Sequence, residues 1–319
     1  MRVGIVGCGT PGAYLAWKLS KEHDVTVFER KKEIGKDVCS GLVSNRLWDF
    51  IPKNEELIEN SIRGVNAHFK KKTVSLKLKP EMFVLSHKLL DQYVAGLAKE
   101  NGAEILTGTN VLEIKEGSGV VLKTNKEEYK FDRVIGCDGA LSKVRDVIGA
   151  KQPRFVLGIQ AFESEENHNN FADVWPSKNG FLWKIPRGEE IEYGIIEDMK
   201  IAKNVFNEFC KANEIDTKNI LSTIIPAELV FPVAKKNIAL CGDAAGFTKP
   251  WSKGGILWNL TGANILLECF PDFEEYNRKV KSFFGKKVFV SKILTSVGMS
   301  LANKSLIPSR LVMDSDWLF

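Results

Sequence analysis

Three glycines near the start of the chain stand in the hexapeptide Gly7-Cys8-Gly9-Thr10-Pro11-Gly12. An apolar run over residues 2–6 precedes it, and a stretch from about Pro11 to Lys21 follows with Ala13, Leu15, Ala16 and Leu19 at helical spacing. At such a strand-to-helix turn, Gly7 permits the tight turn and Gly9 lets the backbone approach a pyrophosphate. Gly12 allows helix and strand to pack closely, while the helix start presents N–H groups to the anion. Glu29 lies 20 residues after Gly9, at the end of the apolar run Asp24–Phe28, where a carboxylate can accept hydrogen bonds from ribose hydroxyls. Dinucleotide binding is the chemistry this spacing suits, and a purely structural turn is the alternative. Two later segments add carboxylates of the same kind. Cys137-Asp138-Gly139-Ala140-Leu141-Ser142-Lys143-Val144-Arg145 fits the pattern DGxxSxxR, and the apolar run from Ile238 ends in Gly242-Asp243. Either aspartate can bond a ligand hydroxyl or cap a helix.

These residues need elements to hold them. Residues 2–6, the helix and Asp24–Phe28 make a complete β-α-β unit, whose strands are expected to be parallel by the right-handed crossover rule. Residues 31–45 are polar and are expected to form a loop. The spacing predicts a helix over Ser86–Asn101, stopped by Asn101-Gly102, then short strands around 104–106, 111–115, 120–124 and 133–137. Residues 155–196 alternate polar with apolar and aromatic positions, which predicts antiparallel strands. A helix over 201–212, a buried strand over 237–241, a helix over 254–267 and a helical region beginning at 268–279 complete the pattern.

Composition sets the outer limits. The chain has 319 residues, 44% hydrophobic and 27% charged, enough for two domains with real cores and unlike a disordered or fibrous chain. Between Arg278 and Met313 there are eight Lys and Arg and no carboxylate, so the remainder carries −3 of the total +5. The excess positive charge belongs to the tail, and nucleic acid is not expected as a partner. Six scattered cysteines and four histidines show no metal-ligand spacing, so neither metal nor a disulfide framework is expected. The opening apolar stretch is too short for a signal-peptide core and no run is long enough to span a bilayer, which suggests a cytoplasmic protein.

Taken with the glycine turn, the Asp138 and Asp243 segments resemble, in order and spacing, the three nucleotide motifs of p-hydroxybenzoate hydroxylase-like flavoproteins. That resemblance implies FAD, with Asp243 on a ribitol hydroxyl and the helix near Gly254 directing its positive end at the cofactor. Three further segments are similar to geranylgeranyl reductases. Val38-Cys39-Ser40-Gly41-Leu42-Val43-Ser44 resembles their cysteine-glycine segment. Phe181-Leu182-Trp183-Lys184-Ile185-Pro186 resembles their YxWxFP substrate-pocket motif, with Phe for Tyr and Ile for the second aromatic. Asp243-Ala244-Ala245-Gly246, Pro250 and Gly254-Gly255-Ile256 resemble their flavin-covering stretch. The resemblance extends over most of residues 1–285.

It implies cofactor contacts at Gly7, Gly9, Gly12, Glu29, Arg30, Cys39, Ser40, Gly41, His87, Val111, Asp138, Gly242, Asp243, Gly255 and Ile256. It also implies a substrate pocket at Phe181, Trp183 and Pro186, and makes Cys39 the catalytic candidate. Where the family has RxxFD, this chain reads His87-Lys88-Leu89-Leu90-Asp91, so one hydrogen bond replaces the fork of an arginine and Lys88 is expected to compensate. The implied architecture is an α/β fold with an α+β substrate domain. A discontinuous Rossmann-like FAD-binding domain (1–60, 80–153, 232–277) is interrupted by an antiparallel-sheet substrate domain (61–79, 154–231), and a basic helical region follows (278–319).

The expected activity is FAD-dependent reduction of C=C bonds in geranylgeranyl chains, on a polyprenyl lipid or a prenyl diphosphate. Ferredoxin, NADPH or another reduced carrier would supply electrons. Phe155, Phe162, Phe171, Trp175, Phe181 and Trp183 could wall a pocket for such a chain, or serve as ordinary sheet core. Phe181-x-Trp183-x-Ile185-Pro186 is also close to the WxWxIP motif of flavin halogenases, so an aromatic hydroxylase or halogenase stands as the alternative. A non-redox lycopene-cyclase-like flavoenzyme and a catalytically silent FAD-binding protein are further alternatives. In the tail, Val290, Ile293, Leu294, Val297 and Leu301 mark one apolar face, interspersed with Lys281, Lys286, Lys287 and Lys292. That composition suits an interfacial helix on anionic lipid at the inner face of the cell membrane, or a core-docked helix with solvated lysines.

Overall fold

The computed structural model describes residues 1–216, 218–303, 306 and 308–314, without the side chains of 218, 292, 296, 298–300, 302 and 303. The chain begins β1 (Arg2–Val6), α1 (Thr10–Leu19), β2 (Asp24–Phe28), β3 (Leu42–Ser44), β4 (Ile58–Phe69), β5 (Lys72–Leu85) and α2 (His87–Glu100). It continues with β6 (Glu104–Leu106), β7 (Val111–Glu116), β8 (Val120–Thr124), β9 (Glu128–Phe131), β10 (Arg133–Gly136), α3 (Lys143–Val147), β11 (Phe155–Glu163) and β12 (Phe171–Pro176). Then come β13 (Phe181–Pro186), β14 (Ile191–Glu197), α4 (Ala202–Ala212), β15 (Lys218–Pro226), β16 (Ala234–Lys235) and β17 (Ile238–Leu240). The last elements are α5 (Ile256–Cys269), α6 (Phe273–Asn303) and β18 (Arg310–Asp314). They divide into two units. The first comprises Met1–Lys36, Lys88–Arg154 and Pro226–Val288; the second comprises Asp37–His87, Phe155–Ile225 and the described residues from Phe289 onward.

In the first unit a six-stranded sheet has the order β16-β17-β10-β1-β2-β6. Its strands are parallel apart from the β16–β17 pair. Short runs such as Val3–Val6 and Val25–Phe28 are buried along nearly their whole length, as strands covered on both faces must be. The β-α-β unit forms as expected, with β1 and β2 parallel from Arg2↔Asp24 to Val6↔Phe28. α5 is buried over most of its surface, as its largely apolar composition requires, with Glu268 exposed, and it packs beside α1. Tyr14 of α1 donates to Asn264 Oδ1 at 2.7 Å across that contact. A separate sheet β7-β8-β9 includes one strand, β9, that the sequence pattern did not suggest. The helix expected to begin at Glu268 is interrupted. Pro271 has no N–H to continue α5, and Asp272 Oδ1 accepts the N–H groups of Glu274 and Glu275 at 3.0 Å each to start α6.

The second unit is built on a sheet of order β15-β11-β14-β13-β12-β4-β5-β18, with β3 also paired to β5. β11 to β14 pair antiparallel as expected, except that β12 runs parallel to β4. The two faces of this sheet are distinct. Ile159, Ala161, Leu182, Tyr193 and Ile195 pack against Ala202, Phe206 and Cys210 of α4. Ile62, Leu78, Val84, Ala172, Trp183 and Ile185 form the core of the opposite face.

Several boundaries differ from the sequence expectation, residues 226–231 and 278–288 among them, which belong with the first unit. Residues 37–60 and 80–87 belong with the second unit rather than the nucleotide unit, because β3 pairs with β5 (Leu42↔Val84) and β4–β5 is one long hairpin. Once β5 extends to Leu85, its neighbours satisfy their backbone groups in that sheet. The tail is not a purely helical appendage either: β18 adds to the edge of β5 in parallel, from Arg310↔Ser75 to Asp314↔Lys79. Of the tail positions singled out above, the side chain of Lys292 lies outside the described residues, as do residues 304, 305, 307 and 315–319 of that region.

Candidate functional site

In the first unit the glycine turn is held by the backbone around it. Gly7 has φ +101°, and a Cβ on Gly12 would collide with the Gly7 carbonyl oxygen. Gly9 differs. Its backbone is extended (φ −74°, ψ 177°), and a Cβ there would find nothing nearer than Asp91 Oδ1 at 4.0 Å. Protein packing therefore gives no reason for glycine at position 9, whereas a phosphate approaching the backbone does. α1 starts at this turn with no side-chain cap. Thr10 Oγ1 donates to the buried Asp91 Oδ1 at 2.5 Å, which ties α2 to the turn. Glu29 Oε2 accepts the Cys8 N–H at 3.0 Å and Oε1 the Lys31 N–H at 2.9 Å, so the carboxylate is oriented beside the turn with acceptor capacity left. Burial, with Glu29 and Asp91 adding to it, pushes the Cys8 thiol up to about 12 and makes it inert.

The other two motifs lock onto this turn. Asp138 Oδ2 accepts the N–H groups of Lys143 and Val144 at 2.7 and 3.2 Å, the capping role weighed as the alternative, while Oδ1 is buried without a hydrogen-bond partner. Arg145, fully buried, donates to the carbonyls of Ala140 at 2.7 Å and Ala244 at 3.2 Å. It thereby ties the DGxxSxxR loop to the turn at Gly242–Ala245. Asp243 Oδ1 accepts from Asn259 Nδ2 at 3.2 Å, and Oδ2 pairs with Lys36 Nζ at 3.6 Å. Asn259 Oδ1 is a second buried acceptor without a partner. Gly255, at the uncapped start of α5, stands against both: a Cβ there would lie 3.1 Å from Asn259 Nδ2 and 3.3 Å from Asp243 Oδ1. Room at Gly9, two uncapped helix starts and two orphaned buried acceptors fit a dinucleotide cofactor.

The structure thus brings together Gly7, Gly9, Gly12, Glu29, Asp138, Gly242, Asp243, Gly255 and Ile256, the first residue of α5. Val111 heads β7, and its carbonyl accepts from Lys143 Nζ at 3.3 Å. Arg30 is exposed. Lys88, expected to compensate for the missing arginine, pairs with Glu33 at 2.9 Å. Asn259 and Arg145 were not anticipated as site residues. Their only signal was membership of an apolar helix and of the DGxxSxxR pattern.

The second unit holds Cys39, Ser40, Gly41, His87, Phe181, Trp183 and Pro186. Gly41 (φ +64°) lies so close to the Leu85 carbonyl that a Cβ would overlap it, and its N–H donates to Cys39 Sγ at 3.5 Å. His87 is the first residue of α2. Phe181 and Trp183 pack together, ring centroids 5.8 Å apart, on the face away from α4. Phe162, paired with Glu192 of β14, shares their face, while the other three aromatic candidates separate from it. Trp175 stacks on His68 and packs against Phe209 of α4, and Phe155 shares strand parity with Ile159 and Ala161 on that same face. Phe171 is exposed on β12. Because side chains alternate along a strand, the six aromatics cannot line one pocket. Trp183 Nε1 donates to the buried Glu192, which sequence reading missed because a carboxylate within the apolar run Ile191–Glu197 gives no sign of its partner.

Among the described residues no group of three or more His, Cys, Asp and Glu could hold a metal, and no helix is long and apolar enough to cross a membrane. The fold is that of the p-hydroxybenzoate hydroxylase-like flavoproteins. A geranylgeranyl bacteriochlorophyll reductase-like protein from Thermoplasma acidophilum superposes with a TM-score of 0.81 at 19% identity, covering 91% of this chain and 86% of the other. A tryptophan 6-halogenase from Streptomyces toxytricini gives 0.71 at 16% identity, covering 88% and 76%. Within that class the chain resembles the geranylgeranyl reductases. It is 26% identical over 287 residues to a digeranylgeranylglycerophospholipid reductase of Methanococcus vannielii, covering 80% of this chain and 72% of the relative. No family model matches the chain.

Proposed function

We propose that this protein is an FAD-dependent oxidoreductase that reduces C=C bonds of geranylgeranyl chains, on a lipid or as the diphosphate, in the synthesis of archaeal-type membrane lipids. The observation that carries the proposal is the 26% identity over 287 residues to a digeranylgeranylglycerophospholipid reductase, which spans most of both chains. When bound, FAD supplies the hydride, its electrons coming from ferredoxin, NADPH or another reduced carrier. The Gly7–Gly12 turn and the start of α1 hold the pyrophosphate, Glu29 the ribose, and Asp243, supported by Asn259, the ribitol. Phe181 and Trp183 give an apolar wall against a polyprenyl chain and keep water from it. Cys39 is the candidate to position substrate or relay the proton that an alkene needs at its second carbon. The exposed apolar side chains of α6, flanked by lysines, support a peripheral contact with anionic membrane, where such a substrate resides.

The test is anaerobic. The purified flavoprotein is reduced with dithionite and mixed with geranylgeranyl glycerophospholipid or geranylgeranyl diphosphate, and products are weighed by mass spectrometry. Hydrogenated product with flavin reoxidation supports the proposal. No mass gain with either substrate, or turnover that requires oxygen, sinks it, and the oxygen requirement would favour the hydroxylase or halogenase reading.

A further inference from the structure

One buried guanidinium in the second unit joins segments far apart in sequence. Arg187 directly follows the Phe181–Pro186 segment. Its Nη1 donates to the Ser40 carbonyl at 2.9 Å and to Glu192 Oε2 at 2.6 Å. Its Nη2 donates to the Leu85 carbonyl at 3.2 Å and pairs with Glu59 Oε2 at 2.5 Å. Glu192 is fully buried on β14, and its Oε1 accepts the Trp183 indole N–H at 2.8 Å. A continuous chain of bonds therefore runs from Trp183 through Glu192 and Arg187 to the backbone of Cys39-Ser40-Gly41.

The loop is tied elsewhere as well, with Lys36 at its start paired to Asp243. Residues 36–41 have no regular secondary structure. Gln160 Nε2 reaches the Asp37 carbonyl at 3.3 Å, and the Gly41 carbonyl accepts the Leu85 N–H at 3.2 Å. Only a planar, five-donor fork can serve two carbonyls and two carboxylates at once; an ammonium has three donors in the wrong geometry. Burial of such a charge is tolerated only when it is this fully bonded.

We propose that Arg187 is a positioning residue: anchored by Glu192 and Glu59, it holds the Ser40 carbonyl and so presents Cys39 in a fixed register with Trp183. The use of that register in catalysis rests on the reductase reading above; the positioning itself is read by thiol chemistry. Cys39 is half-buried while Cys8, Cys137, Cys210, Cys241 and Cys269 are buried, so limited alkylation of the full-length flavoprotein, followed peptide by peptide, reports the loop. Rates are taken to the thiolate from their pH profiles, which separates access from ionisation. In Arg187→Lys and Arg187→Ala the Cys39 rate should rise about tenfold, the change for a local opening made ~1.4 kcal/mol easier, with the other five cysteines still slow. Millimolar guanidinium should restore slow labelling in Arg187→Ala and not in Arg187→Lys. Glu192→Gln, which leaves the fork but turns one of the two accepting oxygens into an amide donor facing Arg187 or Trp183, should shift Cys39 in the same direction and keeps the test available where Arg187→Ala does not fold. An unchanged Cys39 rate in Arg187→Lys or Glu192→Gln overturns the proposal, as does a rise at all six cysteines that guanidinium does not reverse. Failure to reduce a prenyl chain, with the labelling pattern as expected, would remove the reductase reading and leave the positioning role standing.

Discussion

At Gly9 and Gly12 the same added methyl group meets opposite surroundings. Gly9→Ala places a Cβ in open space on an ordinary extended backbone, so the melting temperature of the apoprotein should stay within about 0.5 kcal/mol of unchanged stability. Flavin affinity should fall by at least about tenfold, or ~1.4 kcal/mol, in a fluorescence titration. Gly12→Ala drives a Cβ into the Gly7 carbonyl and should cost folding stability of about 1–3 kcal/mol before any flavin is added. Equal effects of the two variants on apoprotein stability would contradict this. Glu192 makes a different prediction. Burial raises its carboxyl to about 7 despite Arg187 and the Trp183 indole. The folded chain therefore keeps a proton that the unfolded chain releases near pH 4.5, and the associated stability is present at low pH and lost as pH rises through about 7. Melting temperatures measured from roughly pH 5 to pH 8 should fall in the wild type and be flatter in Glu192→Gln; parallel curves would show that Glu192 does not titrate in this range.

Elements acquire their positions through residues of this kind. α3 is only a turn and a half long, and its start depends on Asp138 and on Ser142, whose Oγ accepts the Arg145 N–H at 2.9 Å. Asp138→Ala should cost about 1–2 kcal/mol, measured by denaturant unfolding of the apoprotein, the range expected for a lost helix cap. A loss of flavin binding with stability unchanged would instead assign Asp138 to the cofactor. α5 presents Gly255 and Asn259 to the Asp243 carboxylate, which an apolar helix can do only because most of its remaining surface is buried. In the second unit the strand period decides which aromatics meet: Trp183 and Phe181 share one face and Trp175 the other, although all three stand within an aromatic-rich stretch of sequence.

At the largest scale, positive charge and a run of unburied apolar side chains coincide on α6. On α6, Phe289 (67% exposed), Val290, Ile293, Leu294, Val297 and Leu301 form an exposed stripe, and Lys287 Nζ lies 4.3 Å from the Phe283 ring centroid. Sedimentation of the full-length protein with vesicles containing phosphatidylserine should be strong at low salt and weaken as salt rises, each near-surface cation contributing ~1 kcal/mol. Val290→Asp with Val297→Asp should abolish it while flavin content stays unchanged. Salt-independent binding, or none to either protein, would remove the membrane contact.

The nucleotide half was readable in the chain because its chemistry is local: glycine spacing, a following helix and an acidic strand end lie within the first 29 residues. The helices and most strands were likewise written in periodicity. What the linear pattern left open depends on which distant groups meet in a low-dielectric interior. Nothing in the spacing of Ser40, Glu59, Leu85, Arg187 and Glu192 says that one guanidinium joins them, since the β4–β5 hairpin and the β13–β14 turn must first pair in one sheet. Nor does composition reveal that Lys88 pairs with Glu33, that Asn259 supports Asp243, or that β18 adds to β5. Local propensity and spacing decide what each segment can become; burial and long-range backbone pairing decide which of its charges find partners.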